Sequence, residues 1–140
     1  MHEIGKRYRF SASHRLHSDE FSEAENVRVF GKCANPYGHG HNYVVEVRVE
    51  GDPDPATGWV ADRARLDRLV EEQIIQRLDR ADMNCDIPEF GELVPTTENL
   101  SIVIGRWLQQ SWAGAFPDGG PRLAGLRIEE TPRNSFELTL

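Results

Sequence analysis

Tyr43-Val44-Val45-Glu46-Val47-Arg48-Val49-Glu50 is the stretch that decides the fold, because its side chains alternate with a period of two. Successive side chains of an extended chain point to opposite faces, so this stretch predicts a half-buried strand that ends at Gly51-Asp-Pro-Asp-Pro55. Residues 4–14 alternate in the same way and predict a second strand. The apolar face of that second strand carries Tyr8, Phe10, Ala12 and His14.

Two later segments have apolar residues three and four positions apart, which predicts amphipathic helices. Asp62 is the expected N-cap of the first helix, and Thr96 or Thr97 that of the second. Their apolar positions are Leu66, Leu69, Val70, Ile74 and Leu78 in the first, and Leu100, Val103, Ile104, Trp107 and Leu108 in the second.

Residues 17–32 predict a loop or a short helical excursion, and 126–130 and 136–140 predict two closing strands. The order β-β-α-α-β-β therefore predicts an α+β fold, in which an antiparallel sheet carries two helices on one face.

Length and composition narrow the class of protein. The 140 residues predict one domain spanning 1–140, and the net charge of −7 disfavours nonspecific binding to nucleic acid. No apolar run approaches the roughly 18 residues of a membrane span, and the first residues lack the apolar stretch of a signal peptide. With two cysteines, no disulfide framework is expected, and we expect a cytoplasmic location. Four basic residues near His14 predict either a local anion site or a solvated strand face: Lys6, Arg7, Arg9 and Arg15.

The segment Cys33-Ala-Asn-Pro-Tyr-Gly-His39-Gly-His41 carries candidate metal ligands. His39 and His41 are two positions apart where the chain should be extended, so both imidazoles should share one face. With His14 they form a set that can bind Zn²⁺ and leave one coordination position open, as catalytic zinc sites do. Each histidine alone could instead be the buried partner of a carbonyl or carboxylate.

Cys33 and Glu130 are the other two candidates for chemistry. Cys33 is either a buried small side chain or a thiolate that serves as base or nucleophile beside a metal. Cys85 has no histidine near it in sequence and is expected to be inert. Glu130 is in phase with Leu126 and Ile128, so it projects from the apolar face, where a carboxylate needs a partner. A ligand with several N–H donors would be such a partner, and fraying of the strand end is the alternative.

Five motifs follow one another along the chain. They are Phe10-Ser-Ala-Ser-His14-Arg-Leu, Gly31-Lys-Cys33-x5-His39-Gly-His41-Asn-Tyr, Leu78-Asp79 followed by Met83-Asn84, Pro95-Thr-Thr-Glu-Asn, and Glu130-Thr-Pro-Arg-Asn. Together they resemble the 6-pyruvoyltetrahydropterin synthase / 6-carboxytetrahydropterin synthase family. The spacing from the cysteine to the His-Gly-His resembles the pyruvoyl branch more than the carboxy branch.

This resemblance implies the T-fold, assembled as an oligomeric barrel in a homo-hexamer (a dimer of trimers) with sites between subunits. It implies 7,8-dihydroneopterin triphosphate as the substrate. The net charge and the lack of a long apolar run predict no nucleic-acid or membrane partner. The resemblance also implies that His14, His39 and His41 hold Zn²⁺, with no organic cofactor. The ion would act on the substrate's side-chain hydroxyls as a Lewis acid.

The resemblance further implies roles for the remaining motif residues. Cys33 would be the base that abstracts a proton, Asp79 would belong to a relay behind it, and elimination of triphosphate would follow. Glu130 would anchor the pterin ring through its N–H groups, aided by the segment Thr96, Thr97 and Glu98.

One position departs from the family, which has Asp-His where this chain has Asp79-Arg80. Arginine cannot exchange a proton at neutral pH, so Arg80 cannot replace a histidine as an acid or base. Arg80 could pair with Asp79, stabilise a Cys33 thiolate or contact phosphate, and His17 could supply an imidazole if its loop folds over the site.

Four hypotheses therefore stand. The first is a zinc-dependent lyase, and the second is a related pterin enzyme with an altered outcome, such as side-chain cleavage. The third is a pterin-binding protein without turnover. The fourth is a structural zinc site with Cys33 as its fourth ligand.

Overall fold

Five strands form a single sheet in the order β3-β1-β2-β4-β5. The computed structural model describes all residues 1–140. The strands are β1 (His2–His14), β2 (His39–Gly51), β3 (Ala81–Asp82), β4 (Arg122–Thr131) and β5 (Asn134–Thr139). The four long strands pair antiparallel, as predicted. The short β3 was not foreseen, and it runs parallel to β1 at one edge of the sheet.

The two predicted helices are both present. The first consists of α2 (Arg63–Val70), a π-helical turn (Glu71–Ile75) and α3 (Gln76–Leu78), which follow one another without a break, and the second is α5 (Thr97–Ala115). Asp62 caps α2 by accepting a hydrogen bond from the backbone N–H of Arg65, and Thr96 caps α5 through that of Asn99. Between these helices lie the short α4 (Met83–Asp86) and a 3₁₀ turn (Pro88–Gly91).

The segment between β1 and β2 contains the helical excursion. Helix α1 (Glu23–Phe30) runs into a 3₁₀ turn (Gly31–Ala34) that holds Cys33. Asn26 is buried, and its Oδ1 accepts a hydrogen bond of 2.8 Å from the Ser18 N–H. The Leu16 N–H donates to the Cys33 carbonyl oxygen at 2.7 Å. These contacts fix the cysteine-bearing turn against the end of β1.

The hydrophobic core lies between one face of the sheet and the helices, as the periodicity predicted. The apolar positions of both strands and both helices that the sequence singled out are buried, apart from the partly buried Tyr8. They include Phe10, Ala12, Tyr43, Val45, Val47, Val49, Leu66, Ile74, Leu78, Leu100, Ile104 and Leu108. No helix is both long and apolar enough to cross a bilayer.

Candidate metal centre and active site

Three imidazoles meet where β1 ends and β2 begins. The antiparallel register places His14 opposite His39 and Ala12 opposite His41. The ring centroids of His14 and His41 are 5.0 Å apart, and those of His39 and His41 are 4.5 Å apart. The predicted sharing of one face by His39 and His41 is therefore confirmed.

A backbone carbonyl determines which nitrogen of His14 is available. His14 Nδ1 lies 2.8 Å from the Pro95 carbonyl oxygen. Because a carbonyl can only accept, Nδ1 carries the hydrogen, and the lone pair is on Nε2. The Nε2 atoms of both His14 and His41 are buried and have no hydrogen-bond partner. In metal-binding histidines, the ring nitrogen that does not bind the metal typically donates a hydrogen bond, and this bond fixes the tautomer.

Cys33 completes a group that could hold a metal ion. One ring nitrogen each from His14 and His41, together with the Cys33 sulfur, lie within 4.8 Å of one another. His39 is outside this set, although its ring contacts that of His41 edge to face. Nitrogen and sulfur donors of this kind suit zinc. The buried, unpartnered Nε2 atoms fit such an ion, because an ion would satisfy both of them.

A carboxylate lies beside the imidazoles. Glu130 Oε1 is 3.8 Å from His41 Nε2, and the Glu130 side chain is only 16% exposed. Its other oxygen, Oε2, accepts a short hydrogen bond from the hydroxyl of Thr97, which is itself buried at the start of α5. Glu129 faces the other way and pairs with Arg127. The orientation predicted for Glu130 is thus confirmed, and its strand does not fray before Thr131.

Burial sets the protonation of these groups. It lowers the pKa of His14 and of His41, which favours the neutral imidazoles that metals require. Burial also raises the pKa of the Cys33 thiol, and the negative charge of Glu130 raises it further. A bound cation would oppose that effect, since it favours the thiolate.

Asp79 and Arg80 are outside the group that could hold a metal, although Arg80 lines a pocket together with His41. Asp79 Oδ1 accepts a hydrogen bond of 2.9 Å from the Ser11 N–H, and the Arg80 N–H donates to the Ser11 carbonyl oxygen at 2.6 Å. Both contacts are made to the backbone of Ser11. Because Ser11 follows the core-facing Phe10, its side chain points away from the sheet face that carries the imidazoles.

The remaining sequence candidates also have definite places. The Thr96 hydroxyl is used as the helix cap, and Glu98 is exposed in the first turn of α5. His17 Nδ1 lies 3.4 Å from Asp19 Oδ1. Cys85 is exposed and outside the metal-binding group.

Two contacts in the site were not predicted from the sequence. The Pro95 carbonyl is 81 residues from His14, and any residue could supply a carbonyl. The Tyr43 hydroxyl lies 3.4 Å from His14 Nδ1. Tyr43 was predicted only as a buried strand residue. It follows His41 by two positions in the strand, so the sequence did indicate that the two side chains share a face.

The fold and the cluster together define a class: an α+β protein with a candidate metal centre of histidine and cysteine at the end of its two longest strands. Residues 3–139 match the family model of 6-pyruvoyl tetrahydropterin synthase. The chain belongs to this family of enzymes.

Individual relatives agree with this assignment. The 6-pyruvoyl tetrahydrobiopterin synthase of Homo sapiens is 49% identical over 108 residues, which are 77% of this chain and 74% of the human one. That of Poecilia reticulata is 48% identical over 125 residues, 89% of this chain and 81% of the fish protein. The structure of Caenorhabditis elegans 6-pyruvoyl tetrahydropterin synthase is similar with a TM-score of 0.88 at 36% identity, covering 98% of this chain and 94% of that one.

Proposed function

We propose that the chain is a zinc-dependent lyase that converts 7,8-dihydroneopterin triphosphate into a 6-substituted tetrahydropterin, 6-pyruvoyl- or 6-carboxy-, with elimination of triphosphate. The observation that carries the proposal is the pair of buried, unpartnered Nε2 atoms of His14 and His41. They lie close to the Cys33 sulfur, and the Glu130 carboxylate is 3.8 Å from His41 Nε2. The names of the similar proteins favour the pyruvoyl product.

His14, His39 and His41 are the proposed zinc ligands. The bound ion would supply Lewis-acid polarisation of the substrate's side-chain hydroxyls. His14 and His41 offer neutral nitrogens because burial lowers the pKa of each. His39 is assigned because its ring lies against that of His41.

Cys33 is the proposed base, which removes a proton from a side-chain carbon of the substrate. Its sulfur lies close enough to the imidazoles to be a fourth ligand instead, so the two roles need separate tests. In a Cys33→Ser variant, a base role predicts an unchanged zinc content with turnover lowered about 10²–10⁴-fold. A ligand role predicts that zinc affinity falls together with turnover.

Glu130 is the proposed anchor of the pterin ring, whose N–H groups would donate to the carboxylate. The Thr97 hydroxyl holds this carboxylate in place, whereas the exposed Glu98 and the capping Thr96 border the same helix start. We expect Glu130→Gln to weaken pterin binding about 10-fold or more, because hydrogen bonds to a charged group are worth roughly 1.5–3 kcal/mol. Glu129→Gln is the matched control, since Glu129 lies in the same strand and faces away.

Asp79 does not contact Cys33 within one chain, since it binds the backbone of Ser11. We propose that Asp79 acts on the Cys33 of a second copy, in the homo-hexamer with sites between subunits that the family resemblance implies. A cytoplasmic location is also proposed. Analytical ultracentrifugation tests the assembly, because a monomer in solution would leave Asp79 without this role.

The direct test is incubation of the purified, zinc-loaded protein with 7,8-dihydroneopterin triphosphate. Release of triphosphate and a product that retains the three-carbon side chain would support the pyruvoyl reaction. A product with one carbon of that side chain, as a carboxy group, would support the 6-carboxy reaction. Loss of the whole side chain would indicate cleavage, the alternative that Arg80 favours because arginine cannot serve as an acid or base. Tight pterin binding without any turnover, unchanged in Cys33→Ala, would contradict the lyase assignment and indicate a pterin-binding protein.

A further inference from the structure

Backbone contacts connect the end of β1 to the turn that carries Cys33. His14 is the last residue of β1, and Cys33 lies in the 3₁₀ turn that follows α1. The Leu16 N–H donates to the Cys33 carbonyl oxygen at 2.7 Å, and Arg15 Nε donates to the Ala34 carbonyl oxygen at 3.3 Å. The position of the Cys33 sulfur relative to His14 therefore depends on where Arg15 and Leu16 are held.

The other end of the cysteine-bearing segment contacts the same backbone. Gly38 directly precedes His39 and has a φ of 78°. A Cβ on Gly38 would lie 3.0 Å from the His14 carbonyl oxygen, so glycine permits both this conformation and this close approach. Residues 33–38 thus lie against residues 14–16 at both of their ends.

The side chain of Asn84, in the short helix α4, holds Arg15 in turn. The Arg15 N–H donates to Asn84 Oδ1 at 2.7 Å, and Asn84 Nδ2 donates to the Arg15 carbonyl oxygen at 2.9 Å. A carboxamide carries a donor and an acceptor side by side, as a peptide group does, so it can bond both backbone groups of one residue. Asn84 is therefore linked to the site through the backbone.

Asn84 continues the pairing of β3 with β1 beyond the point where β3 ends. The last residue of β3 is Asp82, which lies opposite Ser13 in the parallel register. The chain then enters α4, and Asp82 caps this helix by accepting a hydrogen bond of 3.1 Å from the Asn84 N–H. The Asn84 side chain takes the place of the next strand residue and bonds Arg15, two positions after Ser13.

We propose that Asn84 is a positioning residue that holds the Cys33 sulfur in place beside His14 and His41. Its carboxamide fixes Arg15, and Arg15 and Leu16 fix the Cys33 turn. The inference rests on the proposed function in one respect, namely that Cys33 acts at this site as a base or a metal ligand. Misplacement of a reacting group by about 1 Å can lower a rate about 100-fold, so a residue remote from the chemistry can control turnover.

The first test needs neither metal nor substrate. The metal-free protein is treated with iodoacetamide, and peptide mass spectrometry measures alkylation of Cys33 separately from that of the exposed Cys85. Because Cys33 is only partly exposed, its alkylation depends on opening of the turn. We expect Asn84→Ala to raise the alkylation rate of Cys33 about 10-fold, as expected for the loss of two hydrogen bonds. Asn84→Asp keeps the acceptor for the Arg15 N–H and should raise the rate less.

Asp54→Ala is the matched control for general destabilisation. Asp54 also binds backbone, because its Oδ1 accepts from the N–H groups of Ala56 and Thr57. This loop follows the end of β2 that is remote from His39. We therefore expect Asp54→Ala to lower the melting temperature and to leave the alkylation rate of Cys33 unchanged.

The second test is a kinetic comparison of the zinc-loaded proteins with 7,8-dihydroneopterin triphosphate. Asn84→Ala should lower kcat about 10–100-fold, because the sulfur is misplaced. Its KM should stay that of the wild type, because the proposed pterin anchor, Glu130, is held by Thr97 and not by Asn84. Asp54→Ala should change neither constant.

Equal alkylation rates of Cys33 in Asn84→Ala and the wild type would overturn the proposal, and so would an equal rise in Asp54→Ala. Asn84→Asp provides the same comparison if Asn84→Ala does not fold. A rise confined to the Asn84 variants, without turnover by any of the proteins, would support the positioning of Cys33 and refute the lyase assignment. Turnover by Asn84→Ala with the kcat of the wild type would support the lyase assignment and refute the positioning role.

Discussion

Removal of the metal should lower the stability of the protein by an amount that the site geometry predicts. Without an ion, the Nε2 atoms of His14 and His41 are buried and unpartnered, and each such atom costs about 1–3 kcal/mol. The unfolded chain separates these ligands and binds zinc weakly. A metal that binds mainly the folded state stabilises it by RT ln(1 + [L]/Kd), or about 2.7 kcal/mol at a free concentration 100 times Kd.

That free energy corresponds to a measurable shift in the melting temperature. For a domain of this size, 1 kcal/mol moves Tm by roughly 3 °C, so zinc should raise Tm by about 8 °C. The assay is thermal unfolding followed by circular dichroism, at one protein concentration, after chelation and again after zinc is added back. The bound zinc should be counted independently by atomic emission.

The controls test the origin of the shift. His41→Ala should lose most of the zinc-dependent shift, while its metal-free Tm stays near that of the wild type because an unsatisfied buried nitrogen is removed. His2→Ala should keep the full shift, since His2 is exposed at the far end of β1. An equal zinc-dependent shift in His41→Ala and wild type would refute the reasoning, as would a wild type that binds one zinc per chain without any gain in Tm.

Two further predictions concern the scaffold. Gly125→Ala should destabilise the fold by about 3 kcal/mol or more in urea unfolding, because a Cβ there would lie 2.4 Å from the Leu138 carbonyl oxygen. Gly114→Ala in α5 should stabilise the fold by about 0.5–1 kcal/mol, because open space surrounds that position. The hydrogen bond from Lys6 holds the pKa of Asp67 below its usual range, so its stabilising contribution is present above about pH 4 and is lost as the pH falls through the folded-state pKa. Between pH 6 and pH 3, the free energy of unfolding should fall less in Asp67→Asn than in the wild type. An equal fall in the two proteins would contradict this.

The parts of the fold that were predictable depend on neighbours in sequence. Alternation assigned the buried faces of β1 and β2, because the period of a strand is a local property. The caps at Asp62 and Thr96 were predictable because a side chain binds a backbone N–H three residues away. Glu130 stood out because a charge fell on an otherwise apolar face.

The parts that were not predictable depend on contacts between distant segments. The hydrogen bond from Thr97 to Glu130 and that from His14 to the Pro95 carbonyl join residues 33 and 81 positions apart. Strand β3 forms because residues 81–82 pair with the edge of β1, and the left-handed backbone of Arg80 directly precedes this pairing. Sequence alone therefore located candidate ligands, but it did not determine that Cys33 groups with His14 and His41, or which nitrogen of His14 is free.

The pairing of β1 with β2 has a consequence for folding. Because His14 faces His39 in this register, a slip of one residue would turn His14 away from the cluster in the same step that turns Phe10 out of the core. If the cluster binds an ion as proposed, ion binding would therefore favour the native register over a register shifted by one residue. During refolding with Co²⁺, the visible absorption of an ion bound by these histidines would report the time at which β1 and β2 pair in the native register.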